Sequence, residues 1–252
     1  MRPGGDAAAV DRLHRDALRA GEDVAAVRDL LAETQPDENV LLALLRRSLP
    51  VRFLEKVATT PPWSDRPMVL ARVVLNPRAP RGLALRLVSS LFWRDLAEVA
   101  ARPSVHGAVR VRAEASLREM LPDLRLGERI TLAKFATSQV LLALLADPDA
   151  RVVEATLLNP RLREEDLVIA LRRDNVSRVL AEAAASSTRW SERYAVRLSL
   201  ALQPRTPLPL ALLQLSSLLK SDLIRVARTP GLAPLVQAAA LATVERLAGL
   251  RR

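Results

Sequence analysis

A short motif built around proline recurs along the chain and constrains the fold more than any other feature. It is Leu-Asn-Pro-Arg at residues 75–78 and 158–161, and Leu-Gln-Pro-Arg at residues 202–205, with a degenerate Leu-Pro-Asp at 121–123. The four prolines fall at 77, 122, 160 and 204, in steps of 45, 38 and 44 residues. Such a period predicts a repeat protein in which each unit packs on its neighbours.

A second series of positions has the same period. The expected ends of the third helices lie at Pro61, Pro103, Pro148, Ser187 and Pro230, in steps of 42, 45, 39 and 43 residues. Both series therefore give a period of about 42 residues, within the range of roughly 40–47 residues of HEAT and armadillo repeats. The sequence leaves open whether a unit holds two or three helices.

The composition predicts an all-α protein. Half of the residues are hydrophobic but only 3% are aromatic, so the core must consist of Leu, Val and Ala. Together with Arg and Glu, Leu and Ala are strong helix formers. We expect residues 1–36 to form an N-terminal helical cap and residues 37–252 an array of about five units with a C-terminal capping helix. Ser104, Asp147 and Thr206 are the expected N-caps of three of the helices.

The net charge of +10 has two explanations. A basic chain favours nucleic acid or an anionic surface as a partner. Lysine occurs only at Lys56, Lys134 and Lys220, so 35 of the 38 basic residues are arginine. A strong preference for arginine, with so much alanine and leucine, is also typical of a GC-rich genome.

Several chemistries are excluded or not indicated by the residues present. The chain has no cysteine, which rules out disulfides and thiolate ligands, and only two histidines. No phosphate-binding glycine loop or hydrolase signature occurs, and the acidic residues 164–166 suit a helix start. We therefore expect no metal, no cofactor and no enzyme activity. Without a signal peptide or a run of about 18 apolar residues, a cytoplasmic protein with no membrane span is expected.

Residues 147–160, with an Asp-Pro-Asp start, a valine-rich short helix and an Asn-Pro end, resemble the bacterial leucine-rich repeat variant and related HEAT-like repeats. The resemblance is partial at residues 68–80 and 193–207. It implies a curved α-solenoid whose concave face binds a partner. The period is longer than that of the variant repeat and is closer to HEAT or armadillo units.

Five residues are candidates for contact with a partner. Arg78, Arg161 and Arg205 follow the corner proline in three units, so stacked units would align them in a row able to grip carboxylates or phosphates. The alternative is that they are solvated loop residues. Trp93 and Trp190 lie near third helices, where an aromatic ring either meets a partner or fills the seam between units. The corner amides have two interpretations as well, an exposed polar ladder or partners for open helix ends.

The leading functional prediction is a protein-binding scaffold or adaptor whose arginines attract an acidic partner. The alternative is a nucleic-acid-binding protein similar to the HEAT-like DNA glycosylases, which are basic, all-helical and use aromatic and acidic residues on the concave face. Trp93, Asp95, Trp190 and Tyr194 are the candidates for that alternative. The sequence leaves the oligomeric state open.

Overall fold

The computed structural model describes residues 3–249, with side-chain burial for residues 7–248, and divides the chain into two compact units that meet between Asp123 and Leu124. All regular structure in the described residues is helical, as the composition predicts. The helices of the first unit are α1 (Pro3–Ala20), α2 (Val24–Thr34), α3 (Glu38–Leu44), α4 (Val51–Thr59), α5 (Pro67–Leu75), α6 (Arg81–Leu87), α7 (Trp93–Ala101) and α8 (Gly107–Met120). One-turn 3-10 helices lie at Trp63–Asp65, Val88–Ser90 and Leu121–Asp123.

The second unit contains nine α-helices within its described residues. They are α9 (Leu126–Ala133), α10 (Ser138–Leu144), α11 (Ala150–Leu157), α12 (Glu164–Leu171), α13 (Arg178–Ser186), α14 (Tyr194–Leu202), α15 (Leu208–Leu215), α16 (Lys220–Arg228) and α17 (Pro234–Gly249). In each unit, helices two places apart in the chain pack together, such as α5 with α7 and α14 with α16. The core consists of Leu, Val and Ala with a few aromatic rings, as expected.

The three expected N-caps are wrong by one or two residues. Helix α8 is capped by His106, whose Nδ1 accepts from Ala108 N at 3.2 Å, and not by Ser104. Helix α11 is capped by Asp149, while Asp147 accepts a hydrogen bond from Asp149 N at 2.9 Å. Pro207 precedes α15, and the buried Thr206 hydroxyl has no partner among the described residues. In each case the expected residue lies in the turn before the N-cap and does not cap the helix.

The two units repeat each other at a spacing of 127 positions. Helices α4, α5 and α7 have counterparts α13, α14 and α16 whose first and last residues are each displaced by 127. Identical residues at this spacing include the pairs Trp63 and Trp190, Pro77 and Pro204, Arg78 and Arg205, Asp95 and Asp222, and Pro103 and Pro230. Residues 45–47 and 171–173 are both Leu-Arg-Arg and correspond at a spacing of 126. The spacing is one less because the stretch between residue 173 and α13 is one residue longer than the stretch between residue 47 and α4. Equivalent positions of the two units can therefore be compared directly.

Candidate functional site: an arginine-lined cleft

The corner amides are buried and bind the end of an earlier helix. Asn76, only 3% exposed, donates from Nδ2 to the carbonyl oxygens of Leu45 and Arg47, both at 2.8 Å. Its Oδ1 accepts from Arg78 N at 3.0 Å, which closes the turn at Pro77. One side chain thus joins its own corner to the C-terminal end of α3.

The same arrangement occurs twice in the second unit. Gln203 donates from Nε2 to the carbonyls of Leu171 at 2.7 Å and Arg173 at 3.1 Å, and Asn159 donates to that of Ala133 at 2.7 Å. Both amide oxygens accept from the backbone N–H two residues later. Since all three amides are buried, they satisfy helix ends, as one of the two interpretations requires, and form no exposed ladder.

The three corner arginines differ in their surroundings. The guanidinium of Arg78 lies 3.8 Å from a Glu22 oxygen, and that of Arg161 donates to the carbonyl of Phe135. Arg205 is exposed, and its guanidinium has no hydrogen bond or ion pair with a described residue. Of the three, Arg205 is therefore the arginine whose charge is available to a ligand.

The tryptophans of the candidate set are both buried. Trp190 donates from Nε1 to the carbonyl of Leu157 at 2.8 Å, and Arg189 covers its ring with the guanidinium 4.3 Å from the ring centroid. Arg189 also donates to the carbonyls of Asn159 at 2.9 Å and Leu162 at 3.1 Å. Trp190 thus packs in a seam and holds the Asn159 corner.

Trp93 begins α7, with the guanidinium of Arg94 5.1 Å from its ring centroid. Partial burial of Asp95 on the same helix raises its pKa. In the second unit Tyr194 donates from its hydroxyl to Asp222, and burial followed by this hydrogen bond raises the pKa of Tyr194. The four residues considered for nucleic acid therefore lie two in each unit, and Tyr194 is engaged by a carboxylate.

A cleft of about 380 Å³ lies beside the Gln203 corner in the second unit. Three arginines line it: Arg172 after α12, Arg205 after α14, and Arg225 in the last turn of α16. None of them forms an ion pair with a described acid, and the single carboxylate in the lining, Asp174, is likewise unpaired within the described part of the chain. The cleft is thus cationic, and its guanidinium groups are free to bind a ligand.

The equivalent cleft of the first unit, about 430 Å³, lies beside the Asn76 corner. It also has three arginines and one acid, but here the acid is paired. Glu98 contacts Arg72 at 3.1 Å and Arg102 at 2.5 Å. Partial burial raises the pKa of Glu98, but the hydrogen bonds and charges of Arg102 and Arg72 outweigh it, so the pKa lies below its ordinary value. In this cleft two of the three arginines are therefore already paired with the acid.

The second cleft suits anions by its chemistry. Guanidinium groups bind carboxylates and phosphates in a planar, two-pronged geometry and stay charged at any physiological pH. The described residues contain no group of three or more His, Asp or Glu side chains placed to hold a metal ion. No helix in the described part of the chain has the length and apolarity needed to cross a bilayer.

The sequence analysis included Arg205 but missed Arg172 and Arg225. Both residues lie outside the corner motif, so the corner pattern does not mark them. Comparison of the two units aligns Arg172 with Arg46 at a spacing of 126 and Arg225 with Glu98 at a spacing of 127. Comparison of the chain with protein-family models, with curated proteins and with solved structures finds no match.

Proposed function

We propose that this protein is a non-enzymatic scaffold or adaptor built as a HEAT- or armadillo-like α-solenoid, and that it binds an acidic protein partner. Two features support the solenoid: the packing of helices two places apart in each unit, and a spacing of 127 residues, which is close to three periods of 42. The observation that carries the function is the cleft with three unpaired arginines. Unpaired surface charge of one sign steers and selects partners of the opposite sign.

The test is affinity capture with the full chain immobilised, using nuclease-treated lysate of the source organism. The wild type is compared with R172Q/R205Q/R225Q, which removes the cleft charges. The control is R118Q/R228Q/R246Q, which removes three exposed arginines that have no ion pair with a described residue and lie outside the cleft.

We expect acidic proteins to be retained by the wild type and the control, to be released when salt is raised from 50 to 300 mM, and to be lost from the cleft variant. Equal capture by all three chains would contradict the role of the cleft. Binding of a labelled DNA duplex with a steep salt dependence, and no captured protein, would support the nucleic-acid alternative instead.

A further inference from the structure

The first unit shows how this scaffold holds a carboxylate. Glu98 enters the cleft from α7 and its oxygen bridges Arg72 and Arg102. At the corresponding positions of the second unit stand Arg225, Ser199 and Thr229. The second cleft thus lacks both the carboxylate and the two arginines that hold it, and has an arginine at the position of the carboxylate. Its three arginines lie at positions of the lining other than those of Arg72 and Arg102, and they have no internal acid as a partner.

We infer that the second cleft binds the side-chain carboxylate of an extended acidic peptide segment, which supplies the acid that its unpaired arginines lack. The inference rests on the proposed function and names the chemical group that the partner contributes. The ligand carboxylate would lie against Arg225, Arg205 and Arg172, which line the cleft together.

Helix ends at the cleft favour a peptide over a nucleic-acid phosphate. The cleft is lined by Leu171, the last residue of α12, by Leu202, the last of α14, and by Thr229, which follows α16. Carbonyls at helix C-termini lack intrahelical donors and carry partial negative charge. The amide of Gln203 satisfies the Leu171 carbonyl and that of Gln237 satisfies the Thr229 carbonyl, so among these three only the Leu202 carbonyl has no donor within the described residues.

A peptide brings both groups that this lining requires. Its carboxylate accepts from the arginines, and one of its backbone N–H groups donates to the open Leu202 carbonyl. A phosphodiester brings only acceptors and negative charge, which the carbonyls repel. The cleft volume of about 380 Å³ is in the range of pockets that enclose a small ligand, so a glutamate side chain with adjoining backbone fits.

The test uses labelled hexaglutamate peptide, with a labelled thymidine hexanucleotide and labelled hexaglutamine for comparison. The fluorescence anisotropy of each ligand is measured as the full chain is added at low salt. We expect one hexaglutamate site per chain, with hexanucleotide weaker and hexaglutamine not bound. R225E restores an acid where Glu98 stands and should weaken hexaglutamate binding at least tenfold. The matched variant R228E makes the same change on an exposed residue of the same helix outside the cleft, and should stay within about twofold of the wild type, the range expected for remote exposed charges.

A second variant tests the internal carboxylate. E98Q frees Arg72 and Arg102 without adding bulk, so a second, weaker hexaglutamate site should appear. Equal affinities of R225E and R228E for hexaglutamate would overturn the inference. So would a hexanucleotide that binds more tightly than hexaglutamate, if R225E abolishes that binding. Helix content by circular dichroism identifies any variant that fails to fold, and R225Q then replaces R225E.

The two proposals fail separately. If acidic proteins are captured equally by wild type and R225E, the scaffold function stands and the carboxylate site is wrong. If hexaglutamate binds through Arg225 but no acidic protein is captured, the site stands and the scaffold function is wrong.

Discussion

The side-chain amide of Gln203 donates to the carbonyl oxygen of Leu171 at 2.7 Å, joining residues 32 positions apart. The bond is buried and is one of three such bonds from corner amides in the described residues. A single side chain therefore determines both the turn at its own corner and the closure of an earlier helix. The stability of the fold should depend on these amides more than on its surface ion pairs.

Replacing Asn76 with alanine should lower the free energy of unfolding by about 2 kcal/mol, because the carbonyls of Leu45 and Arg47 lose their donors in a buried site. Urea denaturation followed by circular dichroism measures the change. Asn39→Ala, at an exposed position of α3, should be neutral. Equal stability of the two variants would show that water replaces the amide at no cost.

Trp190→Phe should destabilise the second unit by roughly 1–2 kcal/mol, since the ring remains but the N–H to the Leu157 carbonyl is lost. Combining Trp190→Leu, which removes the aromatic ring, with Arg189→Gln in a double-mutant cycle should reveal a coupling of about 0.5–1 kcal/mol from the stacked guanidinium. Additive effects would mean that Arg189 acts only through its bonds to carbonyls. Thermal and urea denaturation of the four chains supply the cycle.

Arg205 and Arg161 should separate binding from stability. Arg161→Gln removes a donor to the Phe135 carbonyl and should cost about 1 kcal/mol. Arg205→Gln removes a guanidinium with no described partner and should change stability by less than about 0.5 kcal/mol, while lowering capture of acidic protein. Urea midpoints and the capture assay, measured on the same preparations, check both parts. Loss of stability without loss of binding in Arg205→Gln would reverse the assignment.

The contributions of Glu98 and Asp95 to the free energy of unfolding should change with pH in opposite directions. The folded-state pKa of Glu98 is lowered, so its contribution is complete above the ordinary pKa of 4.5 and is lost as the pH falls through the folded value. The difference in unfolding free energy between wild type and Glu98→Gln should therefore shrink between pH 5 and pH 3, a window set by that ordinary value.

The pKa of Asp95 is raised by burial, so its ionisation above the ordinary value of 3.8 disfavours the folded state. Asp95→Asn should accordingly be more favourable, relative to wild type, at pH 7 than at pH 3. Urea midpoints measured over this range for the three chains test both signs. A constant difference for Glu98→Gln across the range would contradict the lowered pKa of Glu98.

Much of the fold follows from short-range signals in the sequence. Helix α4 spans residues 51–59, between Pro50 and the Pro61-Pro62 pair, because proline leaves few places for a helix to begin or end. The N-caps were wrong because a neighbouring residue, His106, Asp149 or Pro207, precedes each helix instead, and the choice depends on tertiary packing. Arg129, which pairs with Asp147 at 2.8 Å, is an example of such a distant determinant.

The candidate site was predictable only in part, for a related reason. Arg205 lies in a recurring motif, whereas Arg172 and Arg225 belong to two other helices that meet it in the folded chain. Burial of Trp190 is accompanied by its hydrogen bond to the Leu157 carbonyl, 33 residues earlier in the chain. A local sequence pattern does not predict a contact over that separation. Charge pairing, as between Glu98 and Arg72, is likewise decided by three-dimensional proximity.

Corner amides that reach backwards give the chain a direction. Each donor lies 26 to 32 residues after the carbonyl that it serves. Deleting a segment from the C-terminal side therefore removes the hydrogen-bond donor of an earlier helix end. Deleting a segment from the N-terminal side removes only the acceptor, and water can then solvate the side-chain amide. Truncation of this protein should be tolerated better from the N-terminus than from the C-terminus. Unfolding that begins at a lost corner should spread toward the N-terminus.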